Sequence, residues 1–311
     1  MFEDRKDRKI FVASAFSKDN MGGNKAGVCL LGEGLINEQK MKISRELGYS
    51  ETVFISTSFK KGATFKLEYF TPSDEVALCG HATIGAFAVM REKLDLDKNS
   101  YIIETKEVNL EVKFEDKKIF MEQNKPSFDK ILNAEDLKKC FDIDVANTNL
   151  PIQRVSTGLW DIMLPVKDLE ILNKMKPNFE EIINVSRKFE TVGIHGFAIE
   201  DKRIICRNFA PLYEVPEESA TGTSNCALAS YLYHHNIIKS DEYKFEQGYS
   251  LNSPSEIIVK LETKNNEIQK VIVGGTGYIV EELDIEVWNF DVNWIIKEKD
   301  VAQTENDIGK L

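Results

Sequence analysis

The sequence predicts an α/β protein built from two similar halves. At roughly 150 residues per domain, a chain of 311 residues suggests two domains. Stretches with strand-like alternation are interleaved with stretches of helical periodicity. The order of these stretches in the first half recurs in the second. Hydrophobic residues make up 42% and charged residues 29%, the proportions of a globular chain. That composition excludes a disordered, collagen-like or coiled-coil protein, and 18 glycines with 8 prolines are too few for a low-complexity linker.

Taken in order, Lys9–Ser14 and Val28–Leu31 read as strands. Asn37 offers a helix cap, with the helix running to Leu47 and Gly48 as its stop. Ser50–Thr57 and Thr64–Phe70 alternate as strands do. A helix is expected from Gly80 to Lys93, where Ala82, Gly85, Ala86 and Val89 give it a face of small residues. Tyr101–Glu104, Val108–Phe114 and Lys118–Glu122 follow as a meander. Asn124–Asp129, with Pro126, is the expected linker. It would divide a first domain of residues 1–124, rejoined by residues 280–311, from a second of residues 125–279. In that second part Val155–Thr157, Asp161–Val166, Gly196–Glu200 and Arg203–Asn208 read as strands, and a helix runs from about Thr223 to His234. Strands return at Glu256–Leu261 and Ile268–Val273, with Gly274, Gly275 and Gly277 marking a turn. Trp288, Phe290 and Trp294 in the last segment are expected to pack on a domain or a partner subunit.

The recurrence extends to residues. A strand ending in Phe70-Thr71-Pro72 precedes Cys79-Gly80-His81-Ala82 and a helix. A strand ending in Phe209-Ala210-Pro211 precedes Thr221-Gly222-Thr223-Ser224 and a helix. The offset is 139 at the phenylalanine and 142 at the glycine, so the second loop is three residues longer.

With 40 basic and 51 acidic side chains the formal charge is −11. So acidic a chain, with no dense Lys/Arg run, is not expected to bind nucleic acid. No window approaches the ~20 apolar residues that cross a bilayer, and the charged start, Met1 to Lys9, does not resemble a signal peptide. Five cysteines without a CxxC pair point to reduced thiols and a cytoplasmic location. His81, His195, His234 and His235 lack metal-ligand spacing, so no metal is expected. Gly274-Gly275-Thr276-Gly277 does not open a helix, so it fails the dinucleotide fingerprint.

The two helix starts are the first candidates for function. The opening turn of a helix leaves backbone N–H groups unpartnered, and the macrodipole adds positive charge there. Glycine with small neighbours lets a carboxylate or phosphate approach that backbone. Two such starts, one per half, could face each other across a cleft; the plainer alternative is that each loop only caps its helix. Strand periodicity places Glu51 on one face with Val53 and Ile55. Turned inward, a carboxylate loses hydration and holds its proton more tightly, which suits proton transfer; turned outward, it is an ordinary strand-end glutamate. Cys79 lies where a helix dipole favours a thiolate, yet residues 217 to 224 offer no second thiol, and Cys226 falls inside its helix.

Gly23-Asn24-Lys25-Ala26-Gly27-Val28-Cys29-Leu30-Leu31 resembles a signature of the phenazine-biosynthesis PhzF-type isomerase family. So do Ser50-Glu51-Thr52-Val53-Phe54, Phe70-Thr71-Pro72 and Leu78-Cys79-Gly80-His81-Ala82-Thr83. Ser156-Thr157-Gly158, Arg207 with Phe209-Ala210-Pro211, and Ala220-Thr221-Gly222-Thr223 follow in the family's order, over about residues 9 to 280. The resemblance implies a diaminopimelate-epimerase-like fold, in which two β-barrels each wrap a central helix and the active site lies between them. It also implies an isomerase, independent of cofactor and metal, that acts as a homodimer. By motif match Glu51 is the implied proton carrier, with His81 and Glu218 as further catalytic residues. Gly80, Ala82, Gly222, Thr223 and Ser224 are the implied substrate contacts. Glu218-Ser219 replaces the family's Asp-Pro pair, and Asn252-Ser253-Pro254-Ser255 lacks an arginine the family often has there.

The expected function is therefore proton movement on a small carboxylate-bearing metabolite by glutamate acid/base catalysis. A racemase using Cys79, and a ligand-binding protein without turnover, are the alternatives.

Overall fold

The computed structural model describes the backbone of residues 6–30, 32–147, 149–288 and 291–295, with side chains over residues 9–30, 32–147 and 149–285. The first half runs β1 (Lys6–Ser17), β2 (Asn24–Cys29), α1 (Asn37–Leu47), β3 (Thr52–Thr57), β4 (Phe65–Phe70), β5 (Glu75–Val76), α2 (Gly80–Lys93), β6 (Ser100–Glu104), β7 (Asn109–Glu115) and β8 (Lys118–Gln123). After β9 (Ser127–Leu132) and the single-turn α3 (Ala134–Leu137) comes β10 (Ile152–Ser156). There follow β11 (Trp160–Pro165), α4 (Leu169–Lys174), α5 (Phe179–Phe189), β12 (Gly193–Glu200), β13 (Arg203–Ala210) and β14 (Val215–Glu218). The chain closes with α6 (Gly222–His234), β15 (Glu242–Gln247), β16 (Ser255–Lys264), β17 (Glu267–Trp288) and β18 (Asp291–Ile295). No described helix is long and apolar enough to cross a membrane.

Pairing repeats from half to half. β1–β2 is antiparallel, β2–β3 parallel, β3–β4 antiparallel, β4–β6 parallel, and β6–β7–β8 antiparallel. β10–β11, β11–β12, β12–β13, β13–β15 and β15–β16–β17 follow the same sequence of directions. Each parallel step needs a crossover, which α1 and α2 supply in one half and α4–α5 and α6 in the other. β17 then pairs with β8 through Val271–Gly275 and runs on along β1, so the first ring closes. Reciprocally, the chain leaves β8 and continues as β9, which pairs with β10 of the second ring. Each half thus receives a strand from the end of the other.

The central helices are buried because they are apolar or small on every side. In α2, His81 to Met90 are all buried, and in α6 so are Ser224 to Tyr233. Both contribute to one hydrophobic cluster with Phe11, Val28, Val53, Phe197 and Val273. α1 ends as its sequence implies: Gly48 adopts a left-handed conformation with φ 71° and donates to Ser44 O. Its cap differs, since Ile36 takes that position and Asn37 is the first helical residue. The Ile36 N–H is satisfied by Gln39 Oε1 at 3.0 Å.

Two expectations need correction. Gly274, Gly275 and Gly277 form no turn but lie inside β17. A Cβ on Gly274 would stand 2.2 Å from Phe120 Cδ1, and one on Gly277 2.9 Å from Ala88 Cβ, so these glycines permit close packing rather than reversal. The linker is also shorter, because Ser127–Asp129 already belongs to β9. Leu31, expected in the second strand, and the side chains of Trp288, Phe290 and Trp294 lie outside the described residues.

Candidate active site

The starts of α2 and α6 are linked through Glu218, whose carboxylate accepts from Thr221 and lies 4.0 Å from His81. Cys79 is the extended N-cap of α2, and its carbonyl accepts from Thr83 N at 3.0 Å and Thr83 Oγ1 at 2.7 Å. Thr83 Oγ1 also meets the Tyr69 hydroxyl at 2.7 Å. A Cβ at Gly80 would meet nothing within 4 Å, so open space faces the first turn. Thr221 caps α6 in the same extended conformation, and its carbonyl accepts from Asn225 N at 3.2 Å and Asn225 Nδ2 at 2.8 Å. Gly222 differs from Gly80: a Cβ there would lie 3.2 Å from Phe16 Cζ. Phe16 is fully buried with φ 58°, at a register shift where β1 bulges against β17.

Between the starts stand two carboxylates and one imidazole. Glu51 lies just ahead of β3, where its carbonyl accepts from Gly27 N and holds the strand entry against β2. Residues Thr52 to Ile55 are all buried, so β3 is covered on both faces and alternation alone does not orient Glu51. Glu51 Oε2 comes within 3.4 Å of His81 Nε2, and its side chain is 21% exposed. That oxygen is buried and has no hydrogen-bond partner. On the other side of the imidazole, Nδ1 lies 4.0 Å from Glu218 Oε1.

Glu218 is held at both oxygens. Asn24 Nδ2 donates to Oε1 at 2.8 Å, and the Thr221 hydroxyl donates to Oε2 at 2.5 Å. Burial pushes its pKa above the usual carboxylate value, and the charge of Glu51 adds to this; His81, Thr221 and Asn24 pull the other way. Ser219, standing where the family resemblance implies proline, ties its turn down by donating to Gly23 O at 2.9 Å.

The remaining sequence candidates divide. Thr223 is partly exposed and bonds Gln123 Oε1 at 3.3 Å, joining α6 to the end of β8. Ala82 is wholly buried, and the Ser224 hydroxyl donates to Asp161. For these two, the backbone N–H is the group that belongs to the helix start. Cys79 Sγ lies 3.4 Å from His81 Nδ1. Burial pushes this thiol well above its ordinary pKa, and the charges of Glu51 and Glu218 reinforce the shift against the N–H groups of Ala82 and His81. Potential ligand atoms of Glu51, Cys79 and His81 fall within 4.8 Å of one another, a cluster that sequence spacing did not reveal. Sequence reasoning also missed Asn24, although it lies in the first signature, and Gln247, which carries no local signal. A separate cavity of about 590 Å³, lined by Lys125, Phe128, Tyr233 and His234, lies at the far end of α6.

The chain is similar to known proteins over most of its length. A family model described as phenazine biosynthesis-like protein matches residues 13–283. An uncharacterized isomerase of Clostridium acetobutylicum is 32% identical over 288 residues, covering 87% of this chain and 95% of the relative. A crystal structure of a Bacillus anthracis phenazine biosynthesis protein of the PhzF family superposes with a TM-score of 0.81 at 28% identity, covering 91% of this chain and all of the other. A hydroxyproline epimerase from Agrobacterium vitis, solved with bound trans-4-hydroxy-L-proline, shares the fold at 10% identity, with a TM-score of 0.62 over 92% of each chain. The fold is thus diaminopimelate-epimerase-like, and the chain belongs to the phenazine biosynthesis-like protein family.

Proposed function

We propose that this isomerase moves a proton within a small carboxylate-bearing substrate, with Glu51 as the base and no cofactor in the step. The observation that carries this reading is the buried, unpartnered Oε2 of Glu51, 3.4 Å from His81. An acceptor oxygen held out of water and free of donors is a ready site for a proton. It would take one from a carbon acidified by an adjacent carbonyl or conjugated system. The electron pair passes into that system, the proton on Glu51 exchanges with solvent, and a proton is then delivered to another carbon or to the opposite face. His81, between Glu51 and Glu218, donates to the oxygen where charge develops, and Glu218 orients it. The first turns of α2 and α6, through Gly80, Ala82, Gly222, Thr223 and Ser224, offer N–H groups to the substrate carboxylate. The two proposed domains, residues 1–124 with 280–311 and residues 125–279, would close this site, and the protein would work as a homodimer.

The test is deuterium uptake from heavy water into a panel of small unsaturated and amino carboxylic acids, followed by NMR. Wild type is expected to label at least one, and Glu51→Gln to slow that labelling roughly 10³-fold. Undiminished labelling by Glu51→Gln overturns the reading. If Cys79→Ser instead abolished it, the chemistry would be that of a thiol racemase; ligand binding without any label would mark a protein that has lost turnover.

A further inference from the structure

Behind the start of α6 the second ring encloses polar side chains that the proposed chemistry does not use. Asp161, on β11, is 2% exposed. Its Oδ2 accepts from the Ser224 hydroxyl at 2.5 Å, while Oδ1 is buried without a hydrogen-bond partner of ordinary geometry. Ser224 in turn accepts from Asn208 Nδ2 at 3.2 Å, and the same amide reaches His195 Nδ1 at 3.1 Å. His195 is fully buried, and burial lowers its pKa to about 4, so the ring is neutral. With Nδ1 accepting, the proton sits on Nε2, 3.4 Å from Asn225 Oδ1. Asn225 Nδ2 donates to Gln247 Oε1 at 2.9 Å, and Gln247 Nε2 donates to Thr221 Oγ1 at 3.1 Å and Glu218 O at 2.8 Å. The Thr221 hydroxyl is the donor that holds Glu218 Oε2.

We propose that Asp161 is a positioning residue of the proton-transfer site: through Ser224 it anchors a buried chain of hydrogen bonds that ends on the carboxylate of Glu218. The inference rests on the acid–base reading of that site. Asn208 bridges Ser224 and His195, Asn225 bridges His195 and Gln247, and Gln247 reaches Thr221, so the orientation set at Asp161 is carried along the chain. A buried carboxyl with no cationic partner is costly when charged. Accordingly burial, with the Glu218 charge adding, pushes Asp161 up to about 7, against the bonds from Ser224 and Gly193. The charged groups on neighbouring elements do not neutralise it. On β10, Arg154 is held by Asp129 at 2.6 Å and lies over Trp160. On β13, Arg207 is paired with Glu217 of β14 at 2.8 Å. β12 presents neutral His195, α6 presents Ser224, and β14 presents Glu218, whose charge opposes that of Asp161.

Carboxyl ¹³C NMR of the full chain tests this without substrate, with the Glu218 signal identified by its loss in Glu218→Gln. In wild type the Glu218 shift is expected to titrate in two steps, the upper one near pH 7, because interacting acids report each other's ionisation. Asp161→Asn should abolish the upper step. Ser224→Ala should move that step to higher pH, since it deletes the hydrogen bond that favours charged Asp161. A Glu218 curve the same as wild type in both variants overturns the proposal, and Ser224→Ala alone decides it if Asp161→Asn does not fold. Because the readout needs no turnover, it is independent of the outcome for Glu51→Gln.

Discussion

The opening turns of α2 and α6 occupy equivalent places in two rings of matching strand order, yet they are furnished differently. At the start of α2 stand Glu51 and His81, and behind them α2 is buried from His81 to Met90, with Thr83 bonded to Tyr69. Around α6, Glu218 and Thr223 stay partly exposed, while the interior holds Asp161, His195, Asn208, Ser224, Asn225 and Gln247. Tyr69 and Asn208 lie on corresponding central strands, β4 and β13. One copy of the scaffold presents the imidazole, and the other is wired to hold a carboxylate still. On the proposed reading, duplicated architecture leaves the second copy free to specialise in orientation while the first carries the acid–base side chains.

The largest effect that would sharpen this contrast is on stability against pH. Asp161 is raised from 3.8 to about 7, so its contribution is present below about pH 4 and lost as pH rises through 7. His195 is lowered from 6.5 to about 4, so its contribution is present above pH 6.5 and lost as pH falls through 4. Each slope spans on the order of 3–4 kcal/mol, and the two oppose each other between about pH 4 and 6.5. Urea unfolding of Asp161→Asn should therefore reveal stability falling toward acid, and His195→Gln should reveal it falling toward pH 7. If both variants track wild type at every pH, the polar interior of the second ring is not energetically distinct.

On the α2 side, His81→Asn is expected to slow deuterium labelling roughly 100-fold. A smaller contrast comes from the two glycines. Gly222→Ala must displace the Phe16 ring 3.2 Å away and should cost about 1–2 kcal/mol by thermal denaturation. Gly80→Ala meets open space and should alter stability by less than about 0.5 kcal/mol, while weakening substrate binding. Equal losses of stability at the two positions would erase the distinction between the starts.

Where signals are local, the sequence is legible. α1 and its Gly48 stop, α2 from Gly80 to Lys93, and the β6–β8 meander follow from caps, periodicity and turn residues. β9 is harder to read, because four of its six residues are exposed and its pairing partner lies in the next ring. Two legible elements go unread: β15 alternates at Tyr243 and Phe245, and α5 has an Asn178 cap accepting from Glu181 N at 3.3 Å. Glycine in β17 misleads, since the same residue serves turns and tight packing. The motif positions Glu51, His81 and Glu218 do converge. Asp161 and His195 are illegible because a polar residue on a strand ordinarily faces water, and only the closed second ring shows otherwise.

The exchange of final strands between the rings has a kinetic consequence. β17 cannot complete the first ring until some 260 residues beyond β1 have been made, so the decisive contacts have high sequence separation. A nascent or half-assembled chain then lacks the juxtaposition of residues 51, 81 and 218 altogether. The proposed proton transfer would therefore arrive only with the last topological closure, leaving an unfinished molecule chemically silent.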